Sequence, residues 1–447
     1  MSRAYFDHNA TTPPDPMVIE AMARALKEDF GNPSSVHHFG QRAKAVLDEA
    51  RSAVAELVGG EPAEVVFTSG GTESDNMALR GAAEALESAA ASVPRRHVIT
   101  SSIEHEAILN TVKALTRRGW TSTLLPVDAT GIVSPGSLAS AITRETGIVS
   151  VMHANNEIGT VQPLADLAAI AHEHGAIFHT DAVQSVAKIP VDVRALGVDL
   201  LTLSAHKFNG PKGVGVLWIR RGTRLVSTMT GGKHERNRRG GTENVPGIAG
   251  LGVAARLARK KLDGEAQRIA ALRDRLEHGI LSTVGGTAVN GAPSPRVPNT
   301  TNISFDGVEA ESLLIALDLE GFAVDGLGVL VRHARAVTRA ARDGAACAPH
   351  AELDPLQPRG GKHRSGGRRV GDEAPRSRRK APFPGATVRE ASLSTPQRHN
   401  AQLPINSQGA TPKGSARFSW LGSWILVVDW ELGIAWLGID TRTLVRR

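Results

Sequence analysis

The sequence predicts an α/β protein built on a mostly parallel sheet. Short apolar runs, each ending in a polar cluster, alternate with stretches whose apolar residues keep helical spacing. Residues 98–100 lead to a cluster at 101–107, residues 148–153 to one at 155–159, and residues 176–179 to one at 180–184. In sheets of this kind ligands sit beyond the carboxyl ends of the strands, which is where each cluster falls, so the clusters are expected to share one site. A chain of 447 residues, 41% hydrophobic, can bury a substantial core, as two domains or as one large α/β unit with a smaller appended layer.

In chain order, Val18, Met22, Ala25 and Leu26 keep helical spacing, and a loop rich in turn formers follows at 31–38. Residues 43–57 read as a second helix and 64–67 as a strand that ends in Thr68-Ser69-Gly70-Gly71-Thr72-Glu73-Ser74-Asp75-Asn76. A strand, a glycine turn and a helix starting near Thr72 make an anion site: the glycines admit close approach, and free amides and the helix dipole favour negative charge. A plain turn with Thr72 or Ser74 as N-cap is the competing reading. Helices are expected at 108–116 and 164–174.

Val198, Leu200, Leu201 and Leu203 then lead into Ser204-Ala205-His206-Lys207, which a Gly/Pro turn follows. An amine shielded from water at a strand end loses its proton more readily and can attack an aldehyde, so Lys207 suits a Schiff base with pyridoxal phosphate; a lysine that merely caps the strand is the alternative. A loop over 231–244 carries Arg236, Arg238 and Arg239, ordinarily a solvated basic run, although beside Gly240-Gly241-Thr242 a role near an interface between subunits is the other reading. A long helix over 245–284, a strand at 301–305, a helix at 309–319 and a short strand at 322–324 complete the regular part.

Composition excludes several classes. No run of about 18 uninterrupted apolar residues occurs. The first residues show no leader pattern, so no membrane association and a cytoplasmic location are expected. A single cysteine, Cys347, excludes an internal disulfide framework and any multi-cysteine metal site contributed by one chain, and no metal is expected. The net charge of +7 is unevenly placed: from Asp325 onward there are 20 Lys/Arg against 10 Asp/Glu, which leaves the first 324 residues at −3. The basic excess therefore gives no specific nucleic-acid surface on the body of the chain.

Taken together, the segments at 7–13, 31–37, 68–76, 155–159, 181–184, 204–213 and 240–244, with the His105 segment, resemble in order those of the cysteine desulfurases that supply sulfur for nitrogenase and iron–sulfur assembly. The resemblance spans about 320 residues and places the chain among the class-V aminotransferase-like, fold type I pyridoxal-phosphate enzymes. It implies conversion of L-cysteine to L-alanine with delivery of sulfur to an acceptor or scaffold protein. It further implies a pyridoxal-phosphate-binding large domain at 1–258, with residues 1–13 packing on a smaller, truncated C-terminal α/β domain that is incomplete at 259–324. By the same resemblance Lys207 forms the Schiff base and moves protons at Cα, Asp181 pairs with the pyridinium nitrogen, and His105 stacks on the ring and assists proton transfer. Gln184 bonds the ring oxygen, Asn155 lies near it and the substrate carboxylate, and Gly71, Thr72, Ser204 and His206 hold the phosphate. Thr242 arrives from the second subunit of a homodimer.

Two parts of the pattern are absent: the usual arginine for the substrate carboxylate, since the similar Ser415-Ala416-Arg417 segment lies much too far downstream, and the sulfur-accepting thiol. The family's sulfur-accepting cysteine follows the short strand in a segment like Ser-Thr-Gly-Ser-Ala-Cys-Ser-Ser-Gly, whereas here Val324 is followed by Asp325-Gly326-Leu327-Gly328-Val329-Leu330-Val331-Arg332-His333. Cys347 stands too far along and in a different context. A permitted GC-rich codon choice for residues 325–334, read one nucleotide later, gives Thr-Gly-Ser-Ala-Cys-Ser-Ser-Gly-Thr, so a change of reading frame near Val324 is expected. Residues 325–447, rich in Arg, Gly, Pro and Ser, are expected to be an aberrant, largely disordered basic tail. Without the thiol, persulfide formation is expected to fail. A thiol-independent pyridoxal enzyme (selenocysteine lyase-like or aminotransferase-like) and an inactive dimeric scaffold are the alternatives.

Overall fold

The structure, a computed structural model, describes residues 3–89, 93–325, 428–429 and 434–435. Cys347 and almost all of the basic tail lie outside the described residues.

The chain begins with β1 (Ala4–Tyr5) and two helices, α1 (Pro16–Glu28) and α2 (His38–Val58). Asp15 caps α1 by accepting the Met17 amide, with Pro16 at the first helical position. The helix expected from residue 43 starts at His38, because the His37 side chain accepts from the Gly40 amide and opens it a turn earlier; Gly59, at φ 70, ends it. Then follow β2 (Val65–Thr68), α3 (Gly71–Glu87), β3 (His97–Ser101), α4 (Glu106–Thr116), β4 (Thr121–Leu125), α5 (Pro135–Ala141), β5 (Thr146–Ser150), α6 (Leu164–Glu173), β6 (Ile177–Asp181), β7 (Leu200–Ser204) and β8 (Gly215–Ile219).

The central sheet has the order β2-β8-β7-β6-β5-β3-β4. β8 is antiparallel to both neighbours and every other pair is parallel, so β8 alone runs against the rest. The carboxyl ends of β2, β3, β5, β6 and β7 therefore open on one edge, as the polar clusters demand. Strand residues alternate between two cores: Phe67, Ile99, Val149, Phe178, Leu201 and Trp218 face one, and Val66, Val98, Ile148, Ile177, Leu200 and Leu217 the other. That alternation, with every residue of β7 and β8 buried, is the mark of a sheet covered on both faces.

Two differences from the sequence reading have simple causes. The strand expected at 148–153 ends its ladder at Ser150, yet the Val151 and His153 amides still bond the carbonyls of His179 and Asp181, so the polar end stays pinned to β6. β4 was not expected because it is an edge strand of Thr, Ser and Leu with most residues exposed, which leaves no apolar run to read.

After α7 (Val245–Thr283), β9 (Thr287–Val289) pairs antiparallel with β10 (Ile303–Phe305), followed by α8 (Ala310–Leu319) and β11 (Phe322–Ala323), which pairs in parallel with β1. Two short strands, β12 (Val428–Asp429) and β13 (Ile434–Ala435), pair antiparallel. α8 buries none of its residues; Leu319 is 78% exposed. Among the described residues no helix is long and apolar enough to cross a membrane.

Candidate active site

Lys207 closes a 3-10 turn (Ala205–Lys207) directly after β7, so a fully buried strand delivers its amine to the open edge of the sheet. The Nζ donates to the Ala10 carbonyl at 2.9 Å and to the Asn9 carbonyl. The N-terminal segment that supplies these acceptors is tied across the turn: the Thr12 amide and hydroxyl both donate to the His206 carbonyl, at 2.8 and 2.9 Å, and the Asn209 amide donates to Thr12 Oγ1 at 2.7 Å. Burial draws the Lys207 amine below the usual lysine range, opposed by the charges of Asp181 and Asp7. Gln184 Nε2 donates to the same Asn9 carbonyl at 2.9 Å, so Gln184 and Lys207 converge on one point.

Asp181 ends β6 and is 6% exposed; its Oδ1 accepts the Val183 amide at 2.9 Å in a turn, and no regular helix starts there for it to cap. Burial pushes its carboxyl up, opposed by the Val183 amide and then by His105 and Lys207. Asp75, on α3, is driven well up by burial and then by the charge of Asp181. His179 lies 3.7 Å from Asp75 and hydrogen-bonds Ser150 Oγ and Thr202 Oγ1, and burial pushes it down to about 3, so it brings no charge at neutral pH. Asp75 Oδ1 is buried without a hydrogen-bond partner. Asp181's charge acts on Asp75, and among the described residues neither carboxyl has a Lys or Arg ion pair, so a cationic N–H at this end of the sheet would find buried acceptors. A pyridinium N–H is such a group.

The phosphate turn meets the same test. α3 starts at Gly71 with no side-chain cap, and Ser74 spends its hydroxyl on Thr68 Oγ1 (2.7 Å) and the Gly70 carbonyl (3.1 Å). The plain-turn reading with a Thr72 or Ser74 cap therefore fails, and the first amides of α3 are left for an anion. A Cβ at Gly71 would stand 3.0 Å from Val183 Cγ2 and 3.8 Å from Ser204 Cβ, so the turn closes against the elements that carry Asp181 and Lys207. Ser204 is buried, Thr72 is exposed, and His206 Nδ1 bonds Thr11 Oγ1 at 3.1 Å. The residues present thus fit pyridoxal phosphate.

His105 caps α4, its Nδ1 accepting from the Ala107 amide at 3.1 Å, while the ring itself is exposed. A structural role and an open ring face coexist. Asn155 donates through Nδ2 to the Ile103 carbonyl at 3.1 Å and accepts from the Glu157 and Ile158 amides at 3.0 Å each. It therefore stitches the loop after β5 to the loop that carries His105. Glu104, which sequence reasoning passed over, makes a second stitch: its Oε1 accepts from Ser101 Oγ at 2.5 Å and from the Met152 amide at 2.9 Å. Burial pushes Glu104 from 4.5 up to about 8. Across that window the folded state holds a proton that the unfolded state releases, so this contribution to stability is full at low pH and falls as pH rises. Glu104→Gln keeps both acceptor bonds and is expected to flatten the loss of stability between pH 4.5 and about 8, read as denaturant midpoints across the range.

The arginines of the 231–244 loop are not a solvated run. Arg239 Nε pairs with Glu73 Oε1 at 2.8 Å, and Glu73 Oε2 takes the Ser69 amide at 2.8 Å, which ties the loop to the phosphate turn. Arg236 donates to the carbonyls of Pro62 and Ala63. Glu235, whose side chain is 2% exposed, forms a two-point pair with Arg51 at 2.8 and 2.9 Å and accepts the Phe67 amide, while the Arg51 guanidinium lies 4.5 Å over the Phe67 ring. Three consecutive residues here, Glu235, Arg236 and Asn237, hold φ of 43°, 57° and 63°, a strained path that the buried pair over-determines. Glu235→Ala leaves Arg51 buried and unpaired; a loss of about 3–5 kcal/mol in urea unfolding is expected. Thr242 is exposed on this loop and makes no hydrogen bond to the Lys207 turn among the described residues. Acids such as Glu104, Asp75 and Glu235 carry a weak sequence signal, because the contacts that bury them come largely from distant segments: Met152 for Glu104, His179 for Asp75 and Arg51 for Glu235.

A family model, aminotransferase class-V, matches residues 4–343. A cysteine desulfurase IscS of Dictyoglomus turgidum is 49% identical over 320 residues, 72% of this chain and 80% of that protein. Among solved structures, a NifS-like protein superposes with a TM-score of 0.69 at 37% identity, covering 75% of this chain and 90% of the other. SspA in complex with cysteine gives 0.63 at 36% identity, covering 72% and 88%. With Lys207, Asp181 and the open turn at Gly71 on one sheet edge, these similarities lead to one conclusion: the chain belongs to the class-V aminotransferase family, among its pyridoxal-phosphate-dependent cysteine desulfurases.

Proposed function

We propose that the chain binds L-cysteine and carries it through the early steps of desulfuration, L-cysteine to L-alanine with sulfur passed on. The observation that carries this reading is the Lys207 amine, delivered by a buried strand to the sheet edge and drawn toward its neutral form. Pyridoxal phosphate, when bound, supplies an electron sink for the bond at Cα. The chain's own residues then do the following. Lys207 takes and returns the Cα proton, Asp181 keeps a negative charge against the ring nitrogen, and the amides of Gly71 and Thr72 with Ser204 and His206 grip the phosphate. His105 covers the ring, Gln184 donates to its oxygen, and Asn155 orients the substrate.

Residues 1–258 form the cofactor-binding domain and 259–324 a small domain, to which the β1–β11 pairing ties the N-terminus. The working unit is a homodimer, in which Thr242, exposed on the loop that Arg239 ties to Glu73, would reach the phosphate of a second copy, and its location is cytoplasmic. A sulfur-acceptor or scaffold protein completes the pathway. No cysteine precedes Cys347, so this chain stops before persulfide formation. Borohydride reduction of the pyridoxal-phosphate-loaded protein followed by peptide mass mapping tests the reading. The label is expected on Lys207, and a label elsewhere overturns it.

A further inference from the structure

Lys188 lies four residues after Gln184 in the run of turns that follows β6, where Ser185 and Val186 donate to the Ala182 carbonyl and the Lys188 amide donates to Ser185. Ala187 between them holds φ 65, a left-handed conformation that costs a non-glycine residue about 1–2 kcal/mol. The turn so made brings Lys188 Nζ back onto Gln184 Oε1, at 2.5 Å. At its other end the same carboxamide donates through Nε2 to the Asn9 carbonyl, at 2.9 Å. A carbonyl only accepts and an ammonium only donates, so the two ends of the amide are assigned by their partners. Gln184 is 6% exposed, and an amide oxygen left without Lys188 would be buried and unsatisfied. The Nε2 end points at the carbonyl that also receives the Lys207 amine.

We propose that Lys188 is a positioning residue: it holds the Gln184 carboxamide with its N–H outward, so that Gln184 donates to the phenolic oxygen of the bound cofactor. This rests on the reading that Gln184 faces that oxygen. The charged and titratable groups around the pair are Lys207 and His206, both on the turn after β7. Burial and the charge of Lys207 draw the Lys188 amine down to about 7, and it keeps an N–H to donate in either form.

The test is the pH midpoint of the cofactor's absorbance change in the loaded protein. A phenolate that loses its donor is less stable, so Lys188→Met and Gln184→Ala should each raise the midpoint, by about half to one pH unit for one hydrogen bond. The double variant should show no more than the larger single shift, and Lys188→Arg, which still donates, should stay near the parent value. Additive shifts overturn the proposal, because Lys188 would then act through its charge alone. A shift in Gln184→Ala with none in Lys188→Met overturns it too but leaves the Gln184 reading standing. No shift in Gln184→Ala removes that reading and the proposal with it. Should Lys188→Met not fold, Lys188→Gln, too short to make the bond, carries the same expectation.

Discussion

Lys207→Ala is expected to end covalent cofactor attachment and to slow exchange of the Cα proton of L-alanine with deuterated solvent by roughly 100- to 10,000-fold, the range of one positioned general base. The exchange needs no sulfur-accepting thiol, so it isolates what Lys207 does from what the chain lacks. Removal of the amine leaves the grip of the site intact: the uncapped start of α3, buried Ser204, and Asp181 remain. The variant should therefore still take up pyridoxal phosphate, now removable by dialysis, with a dissociation constant higher by an order of magnitude or more. Lys207→Arg should behave the same way, because a guanidinium does not give up its proton. Undiminished exchange in Lys207→Ala would transfer the proton-moving role to another group, of which His105 is the candidate the family resemblance names.

The sheet and its functional edge were legible because they depend on patterns that neighbours in sequence create. An apolar run such as the one before Ser204 reads as a buried strand, and the polar residues just beyond it lie at its end, so the positions of Lys207, Asp181 and Asn155 are legible, whereas their roles are legible only through the family resemblance. The turn at Gly70 and Gly71 is legible in part: a strand, two glycines and a helix suggest free amides, but only the structure shows that no side chain caps α3. The supporting residues depend on contacts between distant segments. Glu104 is recognisable as a buried acid only once Met152, 48 residues away, is seen to donate to it. Glu235 reaches Arg51 across 184 residues. Lys188 is close to Gln184 in sequence, yet its inward turn requires a left-handed Ala187 that propensity does not favour. Arg239 reads as solvated because basic runs usually are; its partner Glu73 is set by the loop's path.

The chain as it stands is expected to exchange the Cα proton yet to release no L-alanine from L-cysteine above a cofactor-only control. Desulfuration breaks the substrate's carbon–sulfur bond and forms a sulfur–sulfur bond on an acceptor thiol; L-cysteine and a protein thiol become L-alanine and a protein persulfide, with atoms balanced and no outside oxidant. That step requires a thiol at the reacting sulfur. The described residues hold none, because the chain's single cysteine is Cys347. Two measurements follow. The nucleotide sequence across residues 324–334 is expected to encode, one nucleotide later, the Thr-Gly-Ser-Ala-Cys-Ser-Ser-Gly segment that the family places after this strand. A protein expressed from the frame-restored gene should release alanine in the presence of a reductant, and replacing the restored cysteine by serine should abolish that release while Cα exchange continues. Alanine release by the chain as written, lost in Cys347→Ser, would instead make Cys347 the acceptor. Release that survives Cys347→Ser would point to chemistry that needs no protein thiol. Since Lys207, Asp181 and the phosphate turn all precede Val324, the balance between proton exchange and alanine release separates the part of the site that lies before this residue from the sulfur-accepting part that the family places after it.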